Sequence, residues 1–358
     1  MEFKEINVSR LIIHKIIGKT KDNVAYSSIS DQVHTLDPDT KKTLLSRIHD
    51  AVGKSTKFFE TKLDYTETDS FWSLARDLYR MDNGNFVKTT GEITEIAVEA
   101  HQAGTKPGGL LIIIDGVIDK CKAVIVIKAE LQEALTLNGT AVQLIKELFL
   151  SPAKEFYKIG FLIHSDKSKT RSSACQTYVY DDNFSPSKKD LAGYFYRDFL
   201  GFSTSDNDRI QTNAFLVSFN EFVDRNVKDF TSRKNLKIRI KADYRESSSQ
   251  IVDPRSYVQF FDDDPSIRLK YEDQIAKKFP RSFTKDLFLV DESLNKSTIN
   301  ITNDIKLSGP SDKIESIDIV DPDDEVKTNK LKLDIEDGQF SKIVVLKSSK
   351  PVFQRNSK

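Results

Sequence analysis

Asp115 and Lys128 follow two apolar runs, Leu110–Ile114 and Ala123–Ile127. An acid after one strand and a lysine closing the next is the order of a metal-dependent nuclease core. Such a core needs a second carboxylate two residues before the lysine, so that two acids share one divalent cation. Val126 occupies that position and has no ligand oxygen, while Glu130 falls on the wrong side of Lys128. Asp115-Gly116 reads more simply as a turn.

Other reactive arrangements are incomplete in the same way. His14, His34, His49, His101 and His164 fall into no HxH or HExxH spacing, and Cys121 and Cys175 form no CxxC pair. Neither cysteine has a histidine partner evident in the sequence, and no GxSxG elbow occurs. Residues 104–109, Gly-Thr-Lys-Pro-Gly-Gly, lack the closing Gly-Lys-Ser/Thr of a phosphate loop, and Pro107 removes a backbone donor. They read as a loop before the strand at Leu110. No catalytic residue, metal ligand or cofactor is assigned, and the chain is read as non-enzymatic.

Charge offers a second kind of chemistry. The 54 basic and 54 acidic residues cancel, which argues against a small protein that coats DNA by bulk charge. Their distribution is uneven. Residues 225–245 hold eight Lys/Arg against Asp229 and Asp243, a net +6, and residues 301–337 hold eleven acids against five lysines, a net −6. Leu236–Ala242 alternates apolar and charged residues, which predicts a half-buried strand with Lys237, Arg239 and Lys241 on one face, roughly 6.7 Å apart. Leu236, Ile240 and Tyr244 also fit one stripe of a helix. A row of cations meets phosphates without reading sequence. Arg233 and Lys234 precede it, and Lys167, Lys169 and Arg171 form a second basic, hydroxyl-rich stretch. These eight residues are the candidate DNA contacts, and each stretch equally fits a solvated face. No homeodomain, zinc-finger or basic-zipper pattern supports base readout.

The elements that must position these residues follow from periodicity. Val8–Ile17 and Val24–Ile29 predict a β-hairpin. Asp37-Pro38 opens a helix through Leu44, Leu45, Ile48 and Val52. Ser70–Met81 predicts a second, stopped by Asp82-Asn83-Gly84-Asn85. Leu110–Ile114, Ala123–Ile127, Ile159–Ile163 and Gln176–Tyr180 predict strands, with a helix near Ala141–Phe149. Ser187 is placed to cap a helix carrying Leu191, Phe195 and Phe199, ended by Gly201. Another runs from about Asp206 to Phe230, and a further one over Ser266–Phe279. Ile299–Leu307, Ile314–Val320, Lys330–Ile335 and Lys342–Leu346 predict an acidic, β-rich end. With no βαβ glycine fingerprint, the fold class is α+β: a mixed or mainly antiparallel sheet with several helices, then the β-rich acidic C-terminal region. The domains are set at 1–184 (mixed α/β), 185–285 (mainly helical), 286–347 (β-rich, acidic) and a disordered tail at 348–358. The apolar runs are too short to span a membrane, and two cysteines fit a reducing cytoplasm.

Several stretches resemble, in order, a bacterial nucleoid-associated protein family (NdpA-like). Ala192-Gly193-Tyr194-Phe195-Tyr196-Arg197-Asp198-Phe199-Leu200-Gly201 is similar to its aromatic "YF..DFLG" block. Leu11-Ile12-Ile13-His14-Lys15 resembles its opening strand and Ser73–Tyr79 its second helix. Lys88-Thr89-Thr90-Gly91-Glu92 resembles a Lys-x-x-Gly-Glu turn, and Ile125–Glu130 the central strand. The resemblance covers most of residues 8–230. It implies a mixed α/β fold, a place in the cytoplasmic nucleoid, and double-stranded DNA as partner without catalysis. A rival expectation is a partner-binding component of an antiphage defence or other DNA-linked complex, with the acidic end docked on a basic protein. A homodimer is compatible with either.

Overall fold

The computed structural model describes residues 3–104, 106–138, 141–148, 157–164, 175–188, 191–300, 306–310, 317–320 and 343–346. The chain divides into two compact units, Met1–Val217 and Ser218–Lys358.

The first unit is built on strands β1 (Ile6–Ile17), β2 (Tyr26–Ser28), β3 (Phe58–Leu63), β4 (Gly109–Ile118) and β5 (Cys121–Ala129). With β8 (Tyr157–His164), β9 (Cys175–Asp181) and β10 (Phe202–Ser203) they form one eight-stranded sheet in the order β10-β3-β9-β8-β5-β4-β1-β2. Every pairing is antiparallel, so the α+β expectation holds and the choice left open between a mixed and a mainly antiparallel sheet falls to the antiparallel one. The central strands are apolar runs because both sheet faces are covered. Strand alternation sends Ile112, Ile114, Ile125, Ile127 and Phe161 to one face, where they share a core with Leu44, Ile48, Ala51 and Val52 of helix α1 (Pro38–Gly53). Asp37 caps that helix by accepting from Asp39 N and Thr40 N, as its place before Pro38 predicts.

The opposite face carries Leu111, Ile113, Val124, Val126, Leu162 and Val179, also buried. Leu200 presses there on Gly160, where an added Cβ would lie 2.3 Å from Leu200 Cδ1. Asp115-Gly116 is no turn but lies inside β4, and a Cβ on Gly116 would meet Asn7 O at 2.2 Å.

Further expectations in this unit are corrected. The Ser70–Met81 helix is a short α2 (Phe71–Ala75), capped by Ser70, followed by a 3₁₀ turn at Leu78–Arg80. Asp82-Asn83-Gly84-Asn85 starts rather than stops a helix: Asp82 accepts from Asn85 N at 2.8 Å and caps α3 (Asn83–Gln102), so Lys88–Glu92 is helical and no turn. The helix placed near Ala141–Phe149 is strand β7 (Ala141–Leu148), paired with β6 (Gln132–Asn138); Asn138 faces Ala141 across a two-residue link that starts with Gly139, a hairpin signal. The helix ahead of Gly201 is a π-helical turn over Tyr194–Phe199 that starts at Gly193 without a side-chain cap. Ser187 instead meets the Ser185 hydroxyl, while Gly201 adopts φ +69°.

The second unit contains the end of α4 (Asp208–Asn226), then α5 (Phe230–Glu246), β11 (Ile251–Val252), α6 (Pro265–Tyr271), β12 (Phe283–Thr284) and α7 (Asp291–Asn295). Two antiparallel strand pairs follow, β13 (Lys296–Asn300) with β14 (Lys306–Pro310) and β15 (Ile317–Val320) with β16 (Ile343–Leu346). Phe219 and Phe222 of α4 pack on Phe261 and Tyr271 at ring centroid distances of 5.4–6.2 Å. The Ser266–Phe279 helix becomes α6 followed by a π-helical turn, Glu272–Ala276. Lys330–Ile335 and the 348–358 tail lie outside the described residues.

Candidate nucleic-acid interface

The alternation at Leu236–Ala242 does not make a strand. Asp229 accepts from Ser232 N at 2.6 Å and caps α5, and Ile240 and Tyr244 form its buried stripe. A helix advances about 100° per residue, so Lys237 and Arg239 point roughly 200° apart and the one-face row is lost. Each cation also has a local partner. Lys237 Nζ lies 2.6 Å from Asp224 Oδ1, and Arg239 stacks over Phe260 at 3.9 Å from the ring centroid. Lys241 donates to Ser293 O and Lys296 O at 2.8 and 2.6 Å, closing the end of α7. Arg233 reaches Val227 O at 3.3 Å, and Lys234 is half-buried. Lys167, Lys169 and Arg171 lie outside the described residues.

The nuclease pair is not assembled either. In register Asp115 faces Val124 and Lys128 faces Leu111, four steps apart along β4, roughly 13 Å. Asp115 is spent on Arg10, whose Nε and Nη2 reach Asp115 Oδ2 at 3.2 and 2.9 Å. Lys128 Nζ donates to Gly108 O at 2.7 Å and Pro107 O at 3.3 Å, and burial pushes its pKa down to about 8.

One end of the same sheet face gathers cations around aromatic rings instead. Lys122 Nζ lies 5.7 Å and Arg80 Cζ 5.1 Å from the centroid of Tyr79, while Arg76 covers Trp72 at 4.9 Å. His164 meets Tyr79 edge to face, at 5.9 Å. Asp77 sits between the two arginines, 3.1 Å from Arg76 Nε and 3.3 Å from Arg80 Nη1. With three cations and one acid, the patch carries +2. Arg80 and Lys122 are exposed, and Arg76 and Tyr79 half-exposed. Basic groups interleaved with rings can meet phosphates and stack on unpaired bases.

Arg10 holds this patch on the sheet. Besides Asp115 it donates to Leu78 O at 2.8 Å and Met81 O at 2.7 Å, the carbonyls on either side of Tyr79-Arg80, and it stacks on Phe86 at 4.4 Å. Below the patch, Cys175 and His164 face each other across β8 and β9, with Sγ 3.5 Å from Nδ1. Burial pushes the thiol pKa up and the imidazole pKa down, so both stay neutral. That pair packs; it is not an activated thiolate. The pairing joins two residues eleven positions apart, and no sequence spacing announces it.

No group of His, Cys, Asp and Glu able to hold a metal occurs among the described residues, and no helix among them is long and apolar enough to cross a membrane. No curated protein matches the chain. The family described as nucleoid-associated protein YejK matches residues 12–329, spanning the sheet, α3, the Tyr79 patch and α5, and the chain belongs to this family of nucleoid-associated proteins.

Proposed function

We propose that this protein binds double-stranded DNA in the cytoplasmic nucleoid, mainly through the phosphate backbone and without catalysis. The observation that carries the reading is the +2 patch of Arg76, Arg80 and Lys122 around Tyr79, on a chain of a nucleoid-associated family. The mixture suits phosphate contacts and lacks the paired Asn, Gln or Arg forks on a groove-reading helix that base recognition uses. Lys167, Lys169 and Arg171 connect β8 to β9, whose ends His164 and Cys175 lie at the patch, and they are proposed as contacts on the same DNA. Arg233, Lys234, Lys237, Arg239 and Lys241 are proposed as a second, weaker set, because their local partners must be exchanged for phosphates.

Measuring duplex affinity between about 50 and 200 mM salt tests this. Binding should weaken steeply with salt, and Arg76→Ala/Arg80→Ala/Lys122→Ala should reduce the slope by up to about 2.7, three phosphates at about 0.9 each. The triple change leaving affinity and slope intact would reject the patch, and no binding at about 50 mM would reject the function. Plasmid held with Mg²⁺ or Mn²⁺ should stay intact; cleavage lost on Lys128→Ala would restore the nuclease.

A further inference from the structure

Roughly 20 Å along the strands from the Tyr79 patch, the same sheet face buries an unbalanced set of charges. Lys128, Lys158 and Asp181 stand directly opposite one another on β5, β8 and β9. Lys128 is 2% and Lys158 4% exposed. Like charges facing across strands destabilise a sheet, and a buried ammonium needs partners for its protons.

Lys128 has such partners in the carbonyls of Pro107 and Gly108. Lys106 has them in Ala100 O and Ala103 O. Lys158 does not. Its ion-pair partner, Asp181 Oδ1, is 3.9 Å away, too far for a hydrogen bond, and that carboxylate already accepts from Asn183 N and Ala192 N. Among the described residues the Lys158 ammonium donates no hydrogen bond.

Two further groups around it are unspent. The Tyr194 ring lies 5.8 Å from Lys158 Nζ and 5.1 Å from Lys106 Nζ, and its hydroxyl bonds to none of the described residues. His101 meets that ring edge-on, at 5.0 Å. Its Nδ1 is 2.6 Å from Ala97 O and must donate, which leaves Nε2 as a buried lone pair with no partner. Lys158, Tyr194 and His101 therefore offer donors for an anion together with one acceptor for a proton that the anion carries.

We propose that Lys158, Tyr194 and His101, backed by Lys106 and Lys128, bind a protonated tetrahedral oxyanion: inorganic phosphate or the phosphate of a monoester. A carboxylate or sulfate fills the donors but brings no proton for His101 Nε2. The phosphate brings both. The inference does not rest on the DNA reading, since none of these residues belongs to the Tyr79 patch.

Calorimetric titration of the full chain at pH 7 and constant ionic strength decides it. Inorganic phosphate should bind saturably, at least tenfold more tightly than sulfate. Lys158→Met should weaken it at least tenfold, and Tyr194→Phe, which removes a single hydroxyl, by several-fold, while Lys277→Ala, at an exposed cation paired with Asp273, leaves it unchanged. Duplexes with and without a 5′-phosphate distinguish a strand end from a free or small-molecule phosphate as the source: tighter binding of the phosphorylated duplex, abolished by Lys158→Met, assigns the strand end, and equal binding assigns the small molecule. No saturable phosphate binding, equal affinity for sulfate, or phosphate affinity unmoved in both Lys158→Met and Tyr194→Phe would overturn the site and leave buried water as the partner of these groups.

Discussion

Replacing Asp77 by Asn should make this protein bind DNA more tightly, although the change touches no phosphate contact. Asp77 lies 3.1 Å from Arg76 and 3.3 Å from Arg80, with its side chain about one-third exposed. A phosphate recruited by those guanidiniums must displace that carboxylate or approach against its charge. Two unit charges at about 4 Å interact by about 1 kcal/mol in water and more near a protein surface. Measured exposed pairs recover only about 0.2–1 kcal/mol, because solvent screens them and side-chain entropy opposes them. The upper half of that range converts to roughly three- to fivefold tighter binding, at 1.4 kcal/mol per tenfold. The patch rises from +2 to +3, so the slope of log affinity against log salt should steepen by up to about 0.9. Fluorescence anisotropy of a labelled duplex across the same salt range measures both. Asp198→Asn is the control, because Asp198 is an exposed acid paired with Arg197 and not with a cation of the patch. Weaker binding in Asp77→Asn, or an equal gain in Asp198→Asn, would refute the argument that Asp77 competes with phosphate at this patch.

Arg10→Met should destabilise the protein by about 3–5 kcal/mol in urea unfolding, since it strands a buried Asp115 carboxylate; Arg10→Met/Asp115→Leu should recover at least half, and simply additive costs would exclude a coupled pair. Stability should fall as pH drops from about 6.5 towards 4. Burial lowers the pKa values of His14 and His101 to about 4, so the unfolded chain binds more protons across that window. His14→Gln should flatten that part of the pH–stability curve, and an unchanged curve would show that His14 does not contribute.

Much of the first unit was legible because burial on both faces writes the strands as unbroken apolar runs. Leu110–Ile114, Ala123–Ile127 and Ile159–Ile163 need no tertiary knowledge to be read as strands, and the Asp37-Pro38 cap marks α1 without ambiguity. Asp82–Asn85 was ambiguous because the residues that stop one helix are those that cap the next. What followed decided the outcome: Ile93, Ala97 and His101 supply the buried stripe of α3. Leu236–Ala242 satisfied the period of a strand and of a helix at once. No free strand edge received it, and Ile240 and Tyr244 found a core, so the helical period won.

The sequence alone determined the α+β class and the family, and the structure made the sheet antiparallel throughout its eight strands. The sites were decided only in three dimensions. Tyr79 and Arg80 come from a 3₁₀ turn, Lys122 from the start of β5, and His164 and Cys175 from adjacent strand ends. Lys128 and Lys158 become neighbours only by the register of β5 against β8. Strand and helix periods are local properties of the chain, so sequence records them. Which cation stays unpaired depends on what folding places within about 3 Å of its protons, and partners up to 154 positions apart leave no local pattern.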